Sequence, residues 1–397
     1  MKEYDVVIVG AGPAGCQCAR ELAKENIKVI LIEKQKEIGE PNFSTAGTPE
    51  ETIKVFGLPE EVAPYVCDKF YFKSLNLEKI FTLKKYRSYV IDFRKMRQWL
   101  ASEVSKNGGE ISVSTTAKDL VIENGKTVGV RYQGLISSGV IKAKVIIDAT
   151  GIAGILSKDL QIFDSTKTIQ TLETEFEMTN LTLPIKNALY FYMGNEFLPN
   201  GYAWIFPLSD NIVKIGFAKV LKDNESTYNL EIGLKKFIES IPWLNKSQPL
   251  EFHISSFPYN HTNNCVRDNY IVIGSAAGHL NPLAGEGIRH ALYSGKFAAQ
   301  VVNEALTNND TSAKKLSKFN NLWKDYSKDN WKMCRAIAYQ MYNNTSTDKT
   351  DKLLKSLQKF SGDEIYDIFF NYNFEPYLAK VIGSLSLSEI KKIKDIF

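Results

Sequence analysis

The first thirty-four residues constrain this chain more than any other stretch. In "YDVVIVGAGPAGCQCARELAKENIKVILIEK" (4–34), Val6 to Val9 form a short apolar run suited to a parallel strand buried on both faces, and Ile27 to Ile32 form another. Ala14 to Glu25, between them, have helical composition. Gly10, Gly12 and Gly15 complete GxGxxG at the strand-to-helix junction, and Pro13 stands where a first helical residue tolerates a missing N–H. Gly10 serves the tight turn, Gly12 the close approach of a pyrophosphate, and Gly15 the packing of helix on strand. With Pro13 and Ala14 they form the expected phosphate cradle, at a helix N-terminus whose unpaired N–H groups and dipole favour anions. Glu33, followed by Lys34, lies 18 positions after Gly15, close to the spacing of an acid that binds ribose hydroxyls and disfavours a 2′-phosphate. The pattern predicts dinucleotide binding and by itself does not separate FAD from NAD.

Two remote segments carry the same punctuation. "AKVIIDATG" ends at Thr150 and Gly151, the form of a parallel strand delivering a tight turn to the edge of a sheet where ligands bind. "NYIVIGSAAG" gives a strand from Tyr270 to Ile273 that runs into "GSAAGHLNPLAGEGI" (274–288), where five of fifteen residues are Gly or Pro. So little side chain implies that something large lies against the backbone. After it Ile288, Ala291, Leu292, Gly295 and Ala298 recur at helical spacing. Three Gly-marked strand ends converging on one sheet edge require a ligand with more than one end.

Between residues 160 and 260 the character changes. "TIQTLETEFEM", "ALYFYMG", "YAWIFPL" and "VKIGFA" are alternating or aromatic-rich, and with "KFYFKSL" near 69 they predict a second, mainly antiparallel sheet. Tyr202, Trp204 and Phe206 alternate and so share one face of their strand, a stripe that without other information is more often core than site.

Composition excludes several classes. The chain has 397 residues, and 49 Lys and Arg against 45 Asp and Glu leave a net +4, too small for a nucleic-acid footprint. Five scattered cysteines with no CxxC indicate neither a disulfide framework nor a zinc site, so no metal is expected and a reducing cytoplasm fits. The N-terminus reads as strand rather than as a leader, and no apolar run approaches the ~20 residues of a membrane span.

The sequence resembles flavoproteins of the p-hydroxybenzoate hydroxylase superfold and, within it, the geranylgeranyl reductase family. The matching residues are "VGAGPAG" (9–15), "IEK" (32–34), "IGEP" (38–41), "DATG" (148–151), "PNGYAWIFP" (199–207) and "GSAAGHLNPLAGEGI"; Pro199, Tyr202, Trp204, Phe206 and Pro207 complete the PxxYxWxFP signature. The resemblance implies an α/β fold: a Rossmann-like FAD-binding domain (1–68, 88–160 and 265–310), an antiparallel-sheet substrate domain (69–87 and 161–264) and a helical C-terminal region (311–397). It implies FAD held also by Ser44, Thr45, Gly47, Leu120, Gly151, Gly274, Ser275, Pro282, Gly285, Gly287 and Ile288. Gly285, Gly287 and Ile288 then open a helix whose dipole stabilises negative charge on the reduced ring, and Pro282 and Leu283 form an apolar wall beside it.

The activity implied is flavin-linked reduction of isoprenoid C=C bonds on a lipid precursor, against a wall of Tyr202, Trp204 and Phe206. Reductant is expected from NAD(P)H or a ferredoxin, since no second GxGxxG is present. The proton donor is left unassigned, with Tyr202, Ser44 and ordered water as candidates; His279 is placed close to the flavin, but a lone His is more often structural. Three positions depart from the family pattern: Ser275 stands where an Asp is common, Ser44 where a Cys is frequent, and Phe93 where an Arg opens a helix, with Arg94 or Arg97 as the candidate substitutes although neither is in register. The competing readings are a flavin monooxygenase or halogenase on the same scaffold, a cyclase-like isomerase, and a non-redox isoprenoid binder.

The C-terminal region reads as helical and Lys-rich. Leu316, Phe319, Trp323 and Tyr326 share a face, as do Leu387, Ile390 and Ile393 in the last stretch, where Ser386 and Glu389 have capping-box spacing. A basic amphipathic helix over 384–397 lies either on a membrane surface, which suits a lipid substrate at the inner face of the membrane, or against the protein body, the commoner fate of so short a helix.

Overall fold

The computed structural model describes residues 3–42, 44–157, 170–198, 201–220, 229–258, 262, 264–327, 330–342, 346–377 and 380. The terminal helix expected over 384–397 lies outside them. Two large sheets, each with its own apolar core, face one another, and the C-terminal helices pack against both.

In the first sheet, Glu3–Val9 runs parallel to Ser138–Asp148 on one side and Val29–Ile32 on the other. Tyr270–Val272 and Glu110–Ser112 extend it outward, again in parallel. A hairpin, Thr115–Glu123 with Lys126–Gly134, adds antiparallel to the long strand. Val6, Val7, Ile8 and Val145 to Ile147 are fully buried, as continuous apolar strands are when both faces of a sheet are covered. The helices Pro13–Lys24 and Ile288–Thr307 pack closely because Gly295 has no side chain: a Cβ there would lie 2.3 Å from the Ala14 carbonyl oxygen.

The second sheet has seven strands in the spatial order Gln248–Pro258, Gln170–Thr179, Ile212–Val220, Gly201–Pro207, Ala188–Met193, Lys69–Lys73 and Glu78–Thr82. All pairs are antiparallel except Ala188–Met193 with Lys69–Lys73. The helix Leu230–Ser240 covers its outer face with Leu234 and Phe237, the latter against Phe217 with ring centroids 5.2 Å apart. Gly362–Phe369 and the residues after it bring Tyr366 and Phe370 onto Phe70. A three-stranded sheet of Gly47–Pro49, Ser88–Val90 and Tyr65–Cys67, not anticipated from sequence, anchors the loop that crosses between the two halves. The C-terminal edge of the first sheet therefore points at the inner face of the second.

Candidate active site

One continuous cavity of about 480 Å³ fills the space between the sheets. Its first wall is mostly main chain. The helix Pro13–Lys24 begins at Gly12 and the helix Ile288–Thr307 at Gly287, and neither has a side-chain cap. Four other helices are capped by Asp92, Asn229, Ser312 and Ser361, while Glu50–Phe56 and Thr347–Leu357 also lack a side-chain cap. The two ends that open on the cavity thus leave their N–H groups to a ligand, as anion sites do. A Cβ placed on Gly12 or Gly151 would meet no protein atom within 4 Å, so both face open space. This cradle fits a dinucleotide such as FAD, and Gly12, Gly285, Gly287 and Ile288 all line the cavity.

Other glycines of the motifs serve the protein itself. A Cβ on Gly10 would lie 2.3 Å from the Ala149 oxygen, one on Gly15 1.9 Å from the Gly10 oxygen, and one on Gly274 2.8 Å from the Ala14 Cβ. Gly10 nevertheless lines the cavity, as does Pro13, whereas Ala14, Gly15 and Gly274 are outside the lining and close the three segments on each other. Gly47 lines the cavity, but the space it leaves is taken by the Phe206 ring, 2.6 Å from its ideal Cβ.

At one end of the cavity the Glu33 carboxylate accepts from Ala11 N at 2.8 Å and from Gln35 N at 2.9 Å, beside Lys34. Thr115, Thr116 and Ala117 line this end; Leu120, expected here, lies further along the same strand, paired with Val130 and away from the cavity. Of the two candidate substitutes for the arginine that Phe93 replaces, Arg97 lines the cavity and Arg94 does not. One helical turn after Phe93, Arg97 reaches the same face and donates to the carbonyls of Ala11 (3.1 Å), Pro41 (3.1 Å) and Glu40 (3.2 Å), tying the glycine turn to the crossing loop. Arg94 instead pairs with Glu251 at 3.0 Å. Asp148, fully buried, accepts from the Thr150 and Tyr270 hydroxyls at 2.6 and 2.7 Å and fixes the second glycine turn.

The opposite wall is side chains in cross-strand register. Ser255, Glu173, Ala218, Tyr202 and Met193 are successive partners across five strands, and all line the cavity. Two residues along come Glu175, Gly216, Trp204, Phe191 and Phe72. Tyr202, Trp204 and Phe206 all border the cavity, with Phe70 and Phe191 beside them. The Trp204 ring occupies the space above Gly216, where a Cβ would sit 2.4 Å from it. The aromatic end thus gives way, within one sheet, to an acidic end.

Ser44 sits where these walls meet. Its N–H donates to Glu175 Oε1 at 2.9 Å and its carbonyl accepts from Lys214 Nζ at 3.0 Å, holding it at φ 151°. Glu175 and Lys214, 3.6 Å apart, are both almost completely buried. Burial pushes the Glu175 carboxyl up, against the pull of Lys214. Glu173 is pushed up to about 8, by burial first and then by the charge of Glu175, with Lys214 opposing. The Tyr202 hydroxyl donates to the Ala284 carbonyl at 2.8 Å.

Beneath the last glycine turn, Glu286 accepts from Arg289 at 2.8 Å and from the Tyr372 hydroxyl at 2.6 Å. Burial alone would raise its carboxyl, but Arg289, His290 and Tyr372 hold it down to about 2. Ser275 and Leu283 line the cavity; Pro282 does not. His279 is also displaced from its expected place near the flavin. It is fully buried, stacked on Trp323 at 3.7 Å and bonded to Ser294 at 2.8 Å, outside the lining. Sequence reasoning missed Thr115 to Ala117, Glu173, Phe191, Met193 and Glu286; for Glu173 the signal was an acid alternating onto the face that carries the aromatic stripe.

Comparison with known proteins agrees with this division. Residues 5–158 match the FAD dependent oxidoreductase family, and residues 169–256 match the geranylgeranyl reductase catalytic domain. The chain is 30% identical over 384 residues to digeranylgeranylglycerophospholipid reductase of Haloferax volcanii, covering 91% of each chain. It is 32% identical over 362 residues to the enzyme of that name from Methanocaldococcus jannaschii, covering 89% of this chain and 90% of the other. A geranylgeranyl bacteriochlorophyll reductase-like protein of Thermoplasma acidophilum has the same fold, with TM-score 0.90 at 23% identity over the whole of both chains. The myxobacterial chondrochloren halogenase shares the fold more distantly, with TM-score 0.72 at 16% identity over 93% of this chain and 92% of the other.

Proposed function

Because the chain belongs to the geranylgeranyl reductase family, we propose that it saturates C=C bonds of geranylgeranyl chains carried on glycerophospholipid precursors. It is an FAD-dependent oxidoreductase. When bound and reduced, FAD supplies the hydride. The observation that carries the reading is the single cavity in which two uncapped helix ends face an aromatic sheet.

An isoprenoid alkene offers almost no polar handle, so its reduction depends on placement. Phe70, Phe191, Tyr202, Trp204 and Phe206 supply an apolar surface for the chain and exclude water from it. The N–H groups at Gly287 and Ile288 favour negative charge on the ring system at that end. Gly12, Gly151, Glu33, Lys34, Ser44, Thr45 and Ser275 are the further cofactor contacts in this reading. Reductant arrives from outside the chain, as NAD(P)H or a reduced ferredoxin. No helix among the described residues is long and apolar enough to cross a membrane, and in this reading the lipid is met at the membrane surface.

The test is anaerobic incubation of dithionite-reduced, FAD-loaded protein with digeranylgeranylglycerophospholipid, read by mass spectrometry. The expected product gains pairs of hydrogens. Unchanged lipid, or a product formed only with oxygen, would contradict the proposal.

A further inference from the structure

We propose that Glu173 is the proton donor of this reduction: its carboxyl borders the cavity, two strands from Tyr202 in the row Glu173, Ala218, Tyr202, on the acidic side of the aromatic wall. The proposal rests on the reductase reading above. Hydride, with its electron pair, forms a C–H bond at one alkene carbon. The π electrons then take the proton from Glu173 at the other carbon, its O–H bond breaking to leave a carboxylate. Reduced FAD is the two-electron donor, and solvent restores the carboxyl.

The other candidates are weaker acids, have the proton directed elsewhere, or lack one. The Tyr202 hydroxyl is directed to the Ala284 carbonyl, and the Ser44 hydroxyl, an alcohol, is a far weaker acid than a carboxyl. Glu286 is held as a carboxylate by Arg289. Glu33 and Glu40 stand on the Arg97 side, where Glu33 accepts two main-chain N–H groups.

The groups facing Glu173 explain why it keeps its proton. Glu175 lies two residues along its own strand, Lys214 on Ile212–Val220, Tyr202 on Gly201–Pro207, and Ser255 and His253 on Gln248–Pro258. The single buried cation among them, Lys214, is already engaged by Glu175 and by the Ser44 and Asn42 carbonyls. Glu173 is left beside a like charge with burial disfavouring its own, and its pKa of about 8 suits an acid working near neutrality.

The test compares FAD-loaded wild type, Glu173→Gln and Glu173→Asp. Reoxidation of the reduced flavin by digeranylgeranylglycerophospholipid should fall by about 10²–10⁴-fold in Glu173→Gln, with Glu173→Asp in between. The wild-type rate should decline above about pH 8, and that limb should be missing from Glu173→Gln.

A second readout needs no turnover. A carboxyl whose folded-state pKa is raised from 4.5 to about 8 makes the folded state lose stability as pH rises through that window. The melting temperature of wild type should therefore drop below that of Glu173→Gln progressively between those pH values. Parallel melting curves, or Glu173→Gln turnover equal to wild type, overturn the assignment of Glu173. Wild type that binds FAD and shows the pH-dependent gap but leaves the lipid unreduced overturns the proposed function instead, and the donor role with it.

Discussion

The two walls of the cavity are built from different material. On the nucleotide side the surface is main chain, held open by glycines and by two helix ends without caps. On the sheet side it is side chains, aromatic at one end and acidic at the other, brought together from strands far apart in sequence. Main chain recognises what every flavin nucleotide shares, phosphates and a ring edge, whereas the side-chain wall is where the choice of substrate and the proton chemistry reside. One wall tolerates almost no change in shape; the other tolerates change but answers in activity.

The sharpest way to break that contrast is at the buried pair behind Ser44. Lys214→Met leaves Glu175 as an uncompensated buried carboxylate, and the expected cost is about 3–5 kcal/mol of unfolding free energy. Chemical denaturation measures it, and a change below ~1 kcal/mol would mean that the pair does not hold the loop. Next in size is a pair of glycine substitutions. Gly15→Ala sets a Cβ 1.9 Å from the Gly10 oxygen, so the unloaded protein should lose about 3 kcal/mol. Gly12→Ala meets no protein atom, so the unloaded protein should stay within about 0.5 kcal/mol of wild type while its FAD affinity falls. Equal stability losses in both would erase the distinction between packing glycines and ligand-facing ones.

The smallest effect is expected at Tyr202. Tyr202→Phe removes one hydrogen bond to the Ala284 carbonyl, worth about 1 kcal/mol, and turnover should remain within about tenfold of wild type. A loss of about 100-fold or more would move proton donation to the phenol.

The first wall was legible because its chemistry is carried by glycine, which has few other reasons to stand at a strand-to-helix junction. The motif also separates Gly12, which faces the cavity, from Gly15, which packs against the chain; what it did not reveal was the same split in the remote segments, where Gly151 faces the cavity and Gly274 packs against Ala14. The second wall was legible only in its aromatic stripe. In "TLETEFEM" the alternation of acids with apolar residues reads as an exposed polar face over a buried one. Both faces are covered here: Phe176 and Met178 belong to the buried core of the second sheet, and Glu173 turns toward the cavity. Arg97 was legible only as one of two substitutes out of register. Matching by alignment register placed it four positions from the family arginine, but four positions is one helical turn, and the guanidinium reaches the same face.

The central claim, that the two walls enclose cofactor and isoprenoid in one space, is tested most directly by titrating geranylgeranyl lipid into oxidised, FAD-loaded protein and recording the flavin absorbance. The account predicts a saturable perturbation of the flavin bands, abolished in Trp204→Ala although that variant still binds FAD. Lipid binding that leaves the flavin spectrum unchanged would contradict it.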